Sequence, residues 1–246
     1  MRLAARQALL EQRSFWRSAE YAFFTFVLPL ALLLLIGSTT AGGFLPGTHV
    51  KAQMIFVPSI LAFGVIVAAY VNLGAKLATL RHDGVLKRIR TTPLPASAYL
   101  SGVVGSTAAT TVAITACTAV IGWLAFGAVP RPVGFAEIAG GLALGVVCFG
   151  SLGLALSSVA RSAESASPIA NASYLPVAIM SGIFDPTFSV PRWLSVAVGL
   201  LPVRALAQIL QQGYTPVEHA PVTDLLVLLA WAAAGCAVAA WRFRWQ

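Results

Sequence analysis

Long apolar blocks constrain the fold of this chain more than any other feature of its sequence. The 246 residues are 58% hydrophobic and only 10% charged, and the apolar residues come in long runs rather than in short alternations. A helix rises about 1.5 Å per residue, so about 20 apolar residues are needed to cross the roughly 30 Å hydrocarbon core of a bilayer. The sequence therefore predicts an all-α polytopic membrane protein, with residues 1–246 forming one transmembrane domain.

Six of the apolar blocks are long enough to span a bilayer. We predict membrane-spanning helices over residues 21–38, 54–74, 98–126, 137–159, 168–184 and 222–241. Residues 185–221 are interrupted by proline too often to span, because a broken helix leaves backbone groups without partners in lipid. They are also too apolar for an ordinary solvated loop. We therefore expect re-entrant helices between the fifth and sixth spans, or a hairpin that only covers the outer face.

Small residues in the spans predict where helices approach one another closely. Gly141 and Gly145 in the fourth span are separated by three residues, a spacing that permits close contact between two helices. We expect this contact within the subunit, because Gly102 and Ser106 in the third span offer a similar surface.

The basic residues are distributed unequally between the two sides of these spans. Twelve lie on one side and four on the other, while the acidic residues split evenly. Because Lys and Arg concentrate in cytoplasmic loops, both termini and the loop after the second span are predicted to be cytoplasmic. The net charge of +8 therefore fixes topology and needs no nucleic-acid partner. Arg outnumbers Lys thirteen to three, as in GC-rich bacterial genomes, so we expect a bacterial cell membrane.

Residues 1–20 have the pattern of an amphipathic helix. At 100° per residue the four arginines fall within an arc of about 60°, with leucines and a tryptophan on either side. This pattern predicts a helix that lies in the membrane interface with its arginines reaching lipid phosphates. The alternative is a solvated helix that only sets the orientation of the chain. The arginines are Arg2, Arg6, Arg13 and Arg17.

Residues 75–97 join the second and third spans and carry five basic residues. The run KLATLRHDGVLKRI has the apolar spacing of a helix, which Gly84 is expected to loosen or turn. Pro93 and Pro95 end that helix and reset the chain for the third span. The simplest interpretation is that the basic residues only fix the orientation of the chain in the membrane. That role does not exclude a second one.

Two motifs, in this order, resemble the ABC-2 type permeases, the membrane subunits of bacterial ABC exporters such as those of the daunorubicin-resistance type. The first is DGVLKRIRTTPLP, which begins at Asp83, and the second is SGIFDPTFSVPRWL, which begins at Ser181. The resemblance extends over nearly the whole chain, including the interfacial helix and the six spans. It implies an exporter permease in which neither motif is catalytic.

In that family the first motif lies where the permease meets its ATPase, and the second begins an extracellular re-entrant hairpin. The resemblance thus implies a coupling interface in which the N-terminal helix is a second docking surface. The implied coupling residues are Arg81, Asp83, Gly84, Leu86, Lys87, Arg88, Arg90 and Pro93. The implied residues of the re-entrant motif are Ser181, Gly182, Phe184, Pro186, Pro191 and Trp193.

The chain has no G-x-x-x-x-G-K-[ST] motif with which to cradle the phosphates of ATP. ATP and Mg²⁺ are therefore expected on a separate ABC ATPase subunit, present in two copies. Six spans are few for a central path, so we also expect a second permease chain, identical or related. The three cysteines and three histidines are scattered, so we predict no metal site and no cofactor in this chain. Membrane lipid is the remaining expected partner.

Hydroxyl groups along the third span are candidates for a substrate path. They fall within an arc of about 80°, and such a stripe lines a cavity or bonds a neighbouring helix. Bonding to the carbonyl four residues earlier is an equally good alternative. Asn171 and Tyr174 in the fifth span are the other polar candidates. The stripe consists of Thr107, Thr111, Thr115 and Thr118.

The expected function is export of an amphipathic compound, such as a drug, a lipid-like metabolite or a glycolipid. An ion-coupled secondary transporter is disfavoured, because it usually needs a titratable residue in mid-membrane and none is clear in these spans. A non-transporting membrane assembly factor is the second alternative. It would have no ATPase partner, so a neighbouring gene with a nucleotide-binding motif would favour the exporter.

Overall fold

A computed structural model describes residues 2–40, 42–45, 49–85, 96–160, 163–184, 191–215 and 221–242 of the chain. These residues are almost entirely helical, and an isolated bridge between Phe44 and Lys51 is the only extended pairing among them. The all-α prediction is confirmed. The helices are α1 (Arg2–Arg17), α2 (residues 19–40), α3 (Gln53–His82), α4 (Ala96–Phe126), α5 (Gly134–Val159), α6 (Ala163–Met180), α7 (Arg192–Gly199), α8 (Pro202–Gln212) and α9 (Pro221–Arg242).

Five helices in the described part of the chain are long and apolar enough to cross a membrane, namely α2, α3, α4, α5 and α9. The chain is therefore a multi-pass membrane protein. The helix expected as the fifth span, α6, has 18 residues, a length of about 27 Å. It is less apolar than the other five because it carries several serines and Asn171.

The bounds of α6 differ from the predicted range of 168–184. The helix begins five residues earlier because Pro168 is accommodated inside it, at the loss of one backbone hydrogen bond. It ends earlier because Gly182 has a φ of +72°, a left-handed conformation that stops a helix and favours glycine.

Helix α3 is the centre of the bundle. In its most apolar 18-residue window 83% of the residues are buried, against 22–39% in the other four candidate spans. Helices α2, α4, α5, α6 and α8 all pack around it. Its large side chains, including Phe56, Ile60 and Phe63, form the middle of the hydrophobic core. Most of the subunit is therefore assembled on this one helix.

Glycines allow α3 to approach α5 at backbone distance. A Cβ atom on Gly153 of α5 would lie 2.9 Å from the carbonyl oxygen of Ala69 and 3.1 Å from that of Tyr70. A Cβ atom on Gly74 of α3 would lie 3.2 Å from the carbonyl oxygen of Gly153. Lipid provides no hydrophobic driving force between helices, so close van der Waals packing of this kind holds them together.

Gly141 and Gly145 pack within the subunit, as predicted, but they do not pack on the third span. A Cβ atom on Gly141 would lie 2.7 Å from Cγ2 of Ile209, and one on Gly145 would lie 2.9 Å from Cδ1 of Leu206. Both glycines therefore face α8. Gly102 of α4 faces α1 instead, where its Cβ atom would lie 2.5 Å from Cγ of Gln7.

Helices α7 and α8 are joined by a sharp bend, which we call the α7–α8 bend. They meet at an angle of 81°, and α8 runs antiparallel to α5, with Leu206 beside Gly145 and Gly213 beside Gly134. The indole Nε1 of Trp231 donates a hydrogen bond of 2.8 Å to the carbonyl oxygen of Leu200, in the turn between the two helices. Trp231 lies about 15 Å along α9, so this turn reaches deep into the bundle before α8 returns.

We expect Gly153→Leu to destabilise the fold, because the new side chain would overlap the backbone of α3. Overpacking of this kind costs about 1–3 kcal/mol. Gly140→Leu, in the same helix, is the matched control, because nothing lies within 4 Å of a Cβ atom at that position. Thermal unfolding of the detergent-solubilised protein should show a lower midpoint for the first variant only. Equal midpoints would contradict the close packing of α3 on α5.

Candidate coupling and transport sites

The structure describes Arg81, Asp83 and Gly84 of the predicted coupling interface. Helix α3 ends at His82, and Gly84 turns the chain with a φ of +66°, which favours glycine. Of the two outcomes expected for Gly84, the structure therefore shows the turn. Asp83 is exposed beyond the helix end. The remaining predicted coupling residues, Leu86, Lys87, Arg88, Arg90 and Pro93, lie outside the described residues.

Arg81 makes a contact inside the subunit. Its Nη2 donates a hydrogen bond of 2.6 Å to the carbonyl oxygen of Ala160, the residue that caps the C-terminus of α5. A cation at this position satisfies a carbonyl that the helix leaves open and complements the helix dipole. The side chain therefore joins the ends of α3 and α5. We call this end of the bundle the Arg81 end and the other the Gly213 end.

The N-terminal helix forms as predicted, over Arg2–Arg17. The side chains of Arg6, Arg13 and Arg17 are exposed, and so are Leu9, Leu10 and Trp16; the side chain of Arg2 lies outside the described residues. The opposite face of the helix packs on α4 at Gly102. A helix that exposes both arginines and large apolar side chains suits a membrane interface.

The sequence did not indicate the buried carboxylate of Glu11, on the face of α1 that packs against the bundle. Its Oε2 lies 2.5 Å from Nζ of Lys76 in α3, and Gln7 donates a hydrogen bond of 2.8 Å to its Oε1. The buried hydroxyl of Tyr99 in α4 also bonds the carboxylate. A buried charge needs such partners, so this cluster fixes α1 to both α3 and α4.

The threonines of α4 bond their own helix. Thr111, Thr115 and Thr118 are buried and donate to the carbonyl oxygens four residues earlier, at 2.9, 2.8 and 2.8 Å. Thr107 donates to the carbonyl oxygen of Val103 at 3.1 Å. The hydroxyls of the stripe therefore follow the second interpretation, bonding to the carbonyl four residues earlier. Their protons are not available to a substrate in this arrangement.

Asn171 and Tyr174 lie together in a cavity of about 610 Å³ between α2, α3 and α6, which we call the central cavity. Its walls are mainly apolar, and its polar groups come from α3 and α6. Among the residues that the structure describes, no charged side chain lines it. The lining residues are Phe24, Leu28, Leu32, Phe63, Val67, Val71, Asn72, Ser167, Asn171, Tyr174, Leu175, Ile179 and Phe184.

Two π-helical segments face each other beside the central cavity, Phe23–Val27 in α2 and Val67–Asn72 in α3. The side-chain amide of Asn72 donates a hydrogen bond of 2.5 Å to Oγ1 of Thr25, which joins the two segments. Irregular turns of this kind are rare and frequently occur at functional sites. Nothing in the sequence indicates them, because no residue type by itself marks a π-helical turn and both segments read as parts of ordinary apolar spans.

A second, almost wholly apolar cavity of about 360 Å³ lies beside the α7–α8 bend. Tyr174 lines both this apolar cavity and the central cavity, so its ring separates them. The hydroxyl of Tyr70 is 2.7 Å from Oγ of Ser173, and the rings of Tyr70 and Tyr174 are in edge-to-face contact. The partition between the two cavities is therefore an aromatic pair with one polar contact.

The predicted re-entrant motif extends from the end of α6 to the start of α7. Ser181 continues the hydrogen bonding of α6 to Val177, and Phe184 packs edge-to-face on Phe63 with ring centroids 5.2 Å apart. The carbonyl oxygen of Pro191 accepts from the first turn of α7, and the side chain of Trp193 is exposed. Pro186 lies outside the described residues.

Two arginines hold α7 and α8 in place, and the sequence alone does not indicate these contacts. Nη1 of Arg204 donates to the carbonyl oxygen and to Oγ of Ser195, both at 3.1 Å, across the bend between α7 and α8. Nη2 of Arg131 donates to the carbonyl oxygen of Gln212 at the end of α8, and it also pairs with Glu137 at 2.8 Å. No group of metal-binding side chains occurs among the described residues.

The contact between Glu11 and Lys76 gives a charge-swap test of how α1 is attached. Glu11→Lys or Lys76→Glu alone would bury two like charges, and we expect each to lower the stability of the solubilised protein by about 1–3 kcal/mol. The double variant restores the pair and should recover most of that loss in thermal unfolding. Additive losses in the double variant would show that the two residues act independently.

Comparison with known protein families assigns the chain to one of them. The sequence model of the ABC-2 type transporter family matches residues 4–214, from α1 through α8. No protein of curated function is significantly similar to the chain. The match confirms the resemblance seen in the two motifs, and it covers most of the sequence. The chain belongs to the ABC-2 type transporter family and is a membrane component of an ABC transporter.

Proposed function

We propose that this chain is the permease subunit of a bacterial ABC exporter, of the kind that includes the daunorubicin-resistance exporters, and that it moves an amphipathic compound through the central cavity. The observation that carries the proposal is the position of α3. This helix lines the central cavity and ends, at the Arg81 end, in the segment whose motif resembles the ATPase contact of the family. One rigid element thus connects a binding cavity with a docking surface.

The proposed orientation places the Arg81 end in the cytoplasm. The exposed arginines of α1 lie at this end, and the basic segment follows the end of α3 in the sequence, which fits a cytoplasmic side rich in Lys and Arg. With α6 counted as the fifth of six spans, both termini are cytoplasmic and the re-entrant hairpin enters from the outer side.

The proposed coupling runs along α3. Asn72 in the central cavity lies about 15 Å from the end of this helix, a distance of ten residues. Two copies of a separate ATPase bind ATP and Mg²⁺ and dock on the basic segment and on α1 of two permease chains. Closure of the ATPases shifts α3, and a shift of packed helices changes the shape of the cavity that they line.

The lining of the central cavity supports an amphipathic cargo. Large apolar side chains provide most of its surface, while Asn72, Ser167 and Asn171 offer hydrogen bonds on one side. A compound with an apolar body and an uncharged or charge-delocalised polar group fits this distribution, as a drug, a lipid-like metabolite or a glycolipid does.

Charge reversal at the docking surface tests the ATPase contact. We expect the combined variant Lys87→Glu, Arg88→Glu and Arg90→Glu to lose the ATPase during purification in mild detergent, because like charges would face the surface that binds the native segment. The measurement is the amount of ATP-binding subunit that co-purifies with the tagged permease, together with its vanadate-sensitive activity.

The matched control reverses Lys51 and Arg192, which are both exposed and which the proposed topology assigns to the outer side. It should retain the ATPase, since these charges lie on the side away from the docking surface. An unchanged complex in the first variant would contradict the docking role, and equal loss in both would indicate a non-specific effect of charge.

Removal of a polar group from the central cavity tests the substrate path. In the reconstituted complex, Asn171→Leu should raise the concentration of amphipathic compound that half-stimulates ATPase activity by about 2- to 10-fold, the equivalent of one hydrogen bond. Thr115→Val is the control, because that hydroxyl bonds its own helix. A larger effect of Thr115→Val than of Asn171→Leu would place the path along α4 instead.

A further inference from the structure

A third cavity, of about 200 Å³, lies beneath α1, where this helix crosses α3 and α4. Most of its surface is apolar, but eight of its twelve lining residues have polar side chains, and unlike the central cavity it includes a charged one among the described residues. Six of these are hydroxyl groups, and one is the ammonium group of Lys76. The transport path proposed above does not use this cavity beneath α1.

Several donors that line this cavity have capacity that no described residue of the chain takes up. The ammonium group of Lys76 has three N–H donors, and among the described residues it contacts one carboxylate, that of Glu11, at 2.5 Å. The side-chain hydroxyls of Ser14 and Ser18 make no hydrogen bond to any described residue. Ser14 and Ser18 are four residues apart, so both lie on one face of the chain as it leaves α1. A ligand rich in acceptor oxygens would satisfy these groups.

Basic groups lie near the mouth of the cavity. Arg13 and Arg17 do not line it, but both are exposed on α1 beside Ser14 and Ser18 and can attract an anion to this surface. The ammonium group of Lys76 is paired with Glu11, and it adds hydrogen-bond donors rather than net charge. Hydrogen bonds from an ammonium group to phosphate oxygens are about twice as strong as those between neutral groups.

The depth of the cavity is that of a lipid headgroup. Lys76 lies six residues before the end of α3, about 9 Å inside the Arg81 end. Trp16 and Leu10, exposed on α1, mark the level of the membrane interface. Phe15, Leu73 and Leu80 add an apolar wall on which the first carbons of an acyl chain can lie.

We infer that the cavity beneath α1 binds the phosphate group of an anionic phospholipid, with Lys76, Ser14 and Ser18 as its donors. A free phosphate ion shares this chemistry. The lipid is the occupant that the interfacial depth and the apolar wall favour. Bound lipid would add a further contact between α1, α3 and α4, the three helices that the Glu11 cluster already joins.

Native mass spectrometry of the purified, delipidated protein tests this site. Phosphatidylglycerol should bind at least about 10-fold more tightly than phosphatidylcholine, whose choline group would meet the surrounding arginines. Inorganic phosphate at millimolar concentration should not displace the lipid. Displacement by phosphate, or equal binding of the two lipids, would overturn the assignment to an anionic lipid.

Two variants locate the binding. The double variant Glu11→Gln and Lys76→Gln removes both charges without leaving either unpaired, and phosphatidylglycerol affinity should fall about 10-fold or more. Ser14→Ala with Ser18→Ala should lower it about 3- to 10-fold, and these substitutions bury no new group. Ser38→Ala with Thr39→Val, whose hydroxyls bond their own helix in α2, is the control and should change nothing. Unchanged affinity in the serine variant would overturn the site, whether or not the charge variant folds.

Discussion

The burial of α3 is the constraint on which the rest of the structure depends. In a bilayer, helices gain little from hiding apolar surface, so a helix that is enclosed on all sides must be held by close packing and by polar contacts. Gly74 and Gly153 bring α3 and α5 to backbone distance, while Lys76 and Arg81 bind α1 and the end of α5. The enclosed helix then positions every cavity in the subunit that we describe.

The three cavities meet around the π-helical segment of α3. Asn72 lines both the central cavity and the cavity beneath α1, and Tyr70 of the same segment lines the apolar cavity. Among the described residues, two side-chain hydrogen bonds join this segment to its neighbours. Asn72 bonds Thr25 of α2, and Tyr70 bonds Ser173 of α6. Such bonds contribute only about 1 kcal/mol each, so a moderate displacement of α3 is sufficient to break them. A permease needs an element of this kind, stable in one arrangement yet able to adopt another.

The sequence predicts the parts of this structure that depend on local pattern. The interfacial helix, the spans and the prolines of the hairpin follow from apolar blocks and periodicity, because lipid permits few alternatives to a helix. The contacts of Glu11 and Arg204 do not follow, because a charge alone does not show which distant residue it meets. Asn171 and Tyr174 were predicted together and share a cavity, whereas Thr111 and Thr115 share only a helix face. A polar side chain in a span can line a cavity or bond its own helix, and only the positions of the neighbouring helices show which.

The most direct test of the account is a distance across the central cavity during the ATPase cycle. Spin labels at Leu28 of α2 and Leu175 of α6, in a variant without the three native cysteines, would report its width by pulsed electron paramagnetic resonance. A second pair, at Val147 of α5 and Leu229 of α9, gives a reference, since these two helices pack together along much of their length. We predict that trapping the partner ATPase with vanadate changes the first distance and leaves the second unchanged. An identical distribution across the cavity in the resting and trapped states, with the ATPase bound and active, would contradict the claim that α3 couples the two sites.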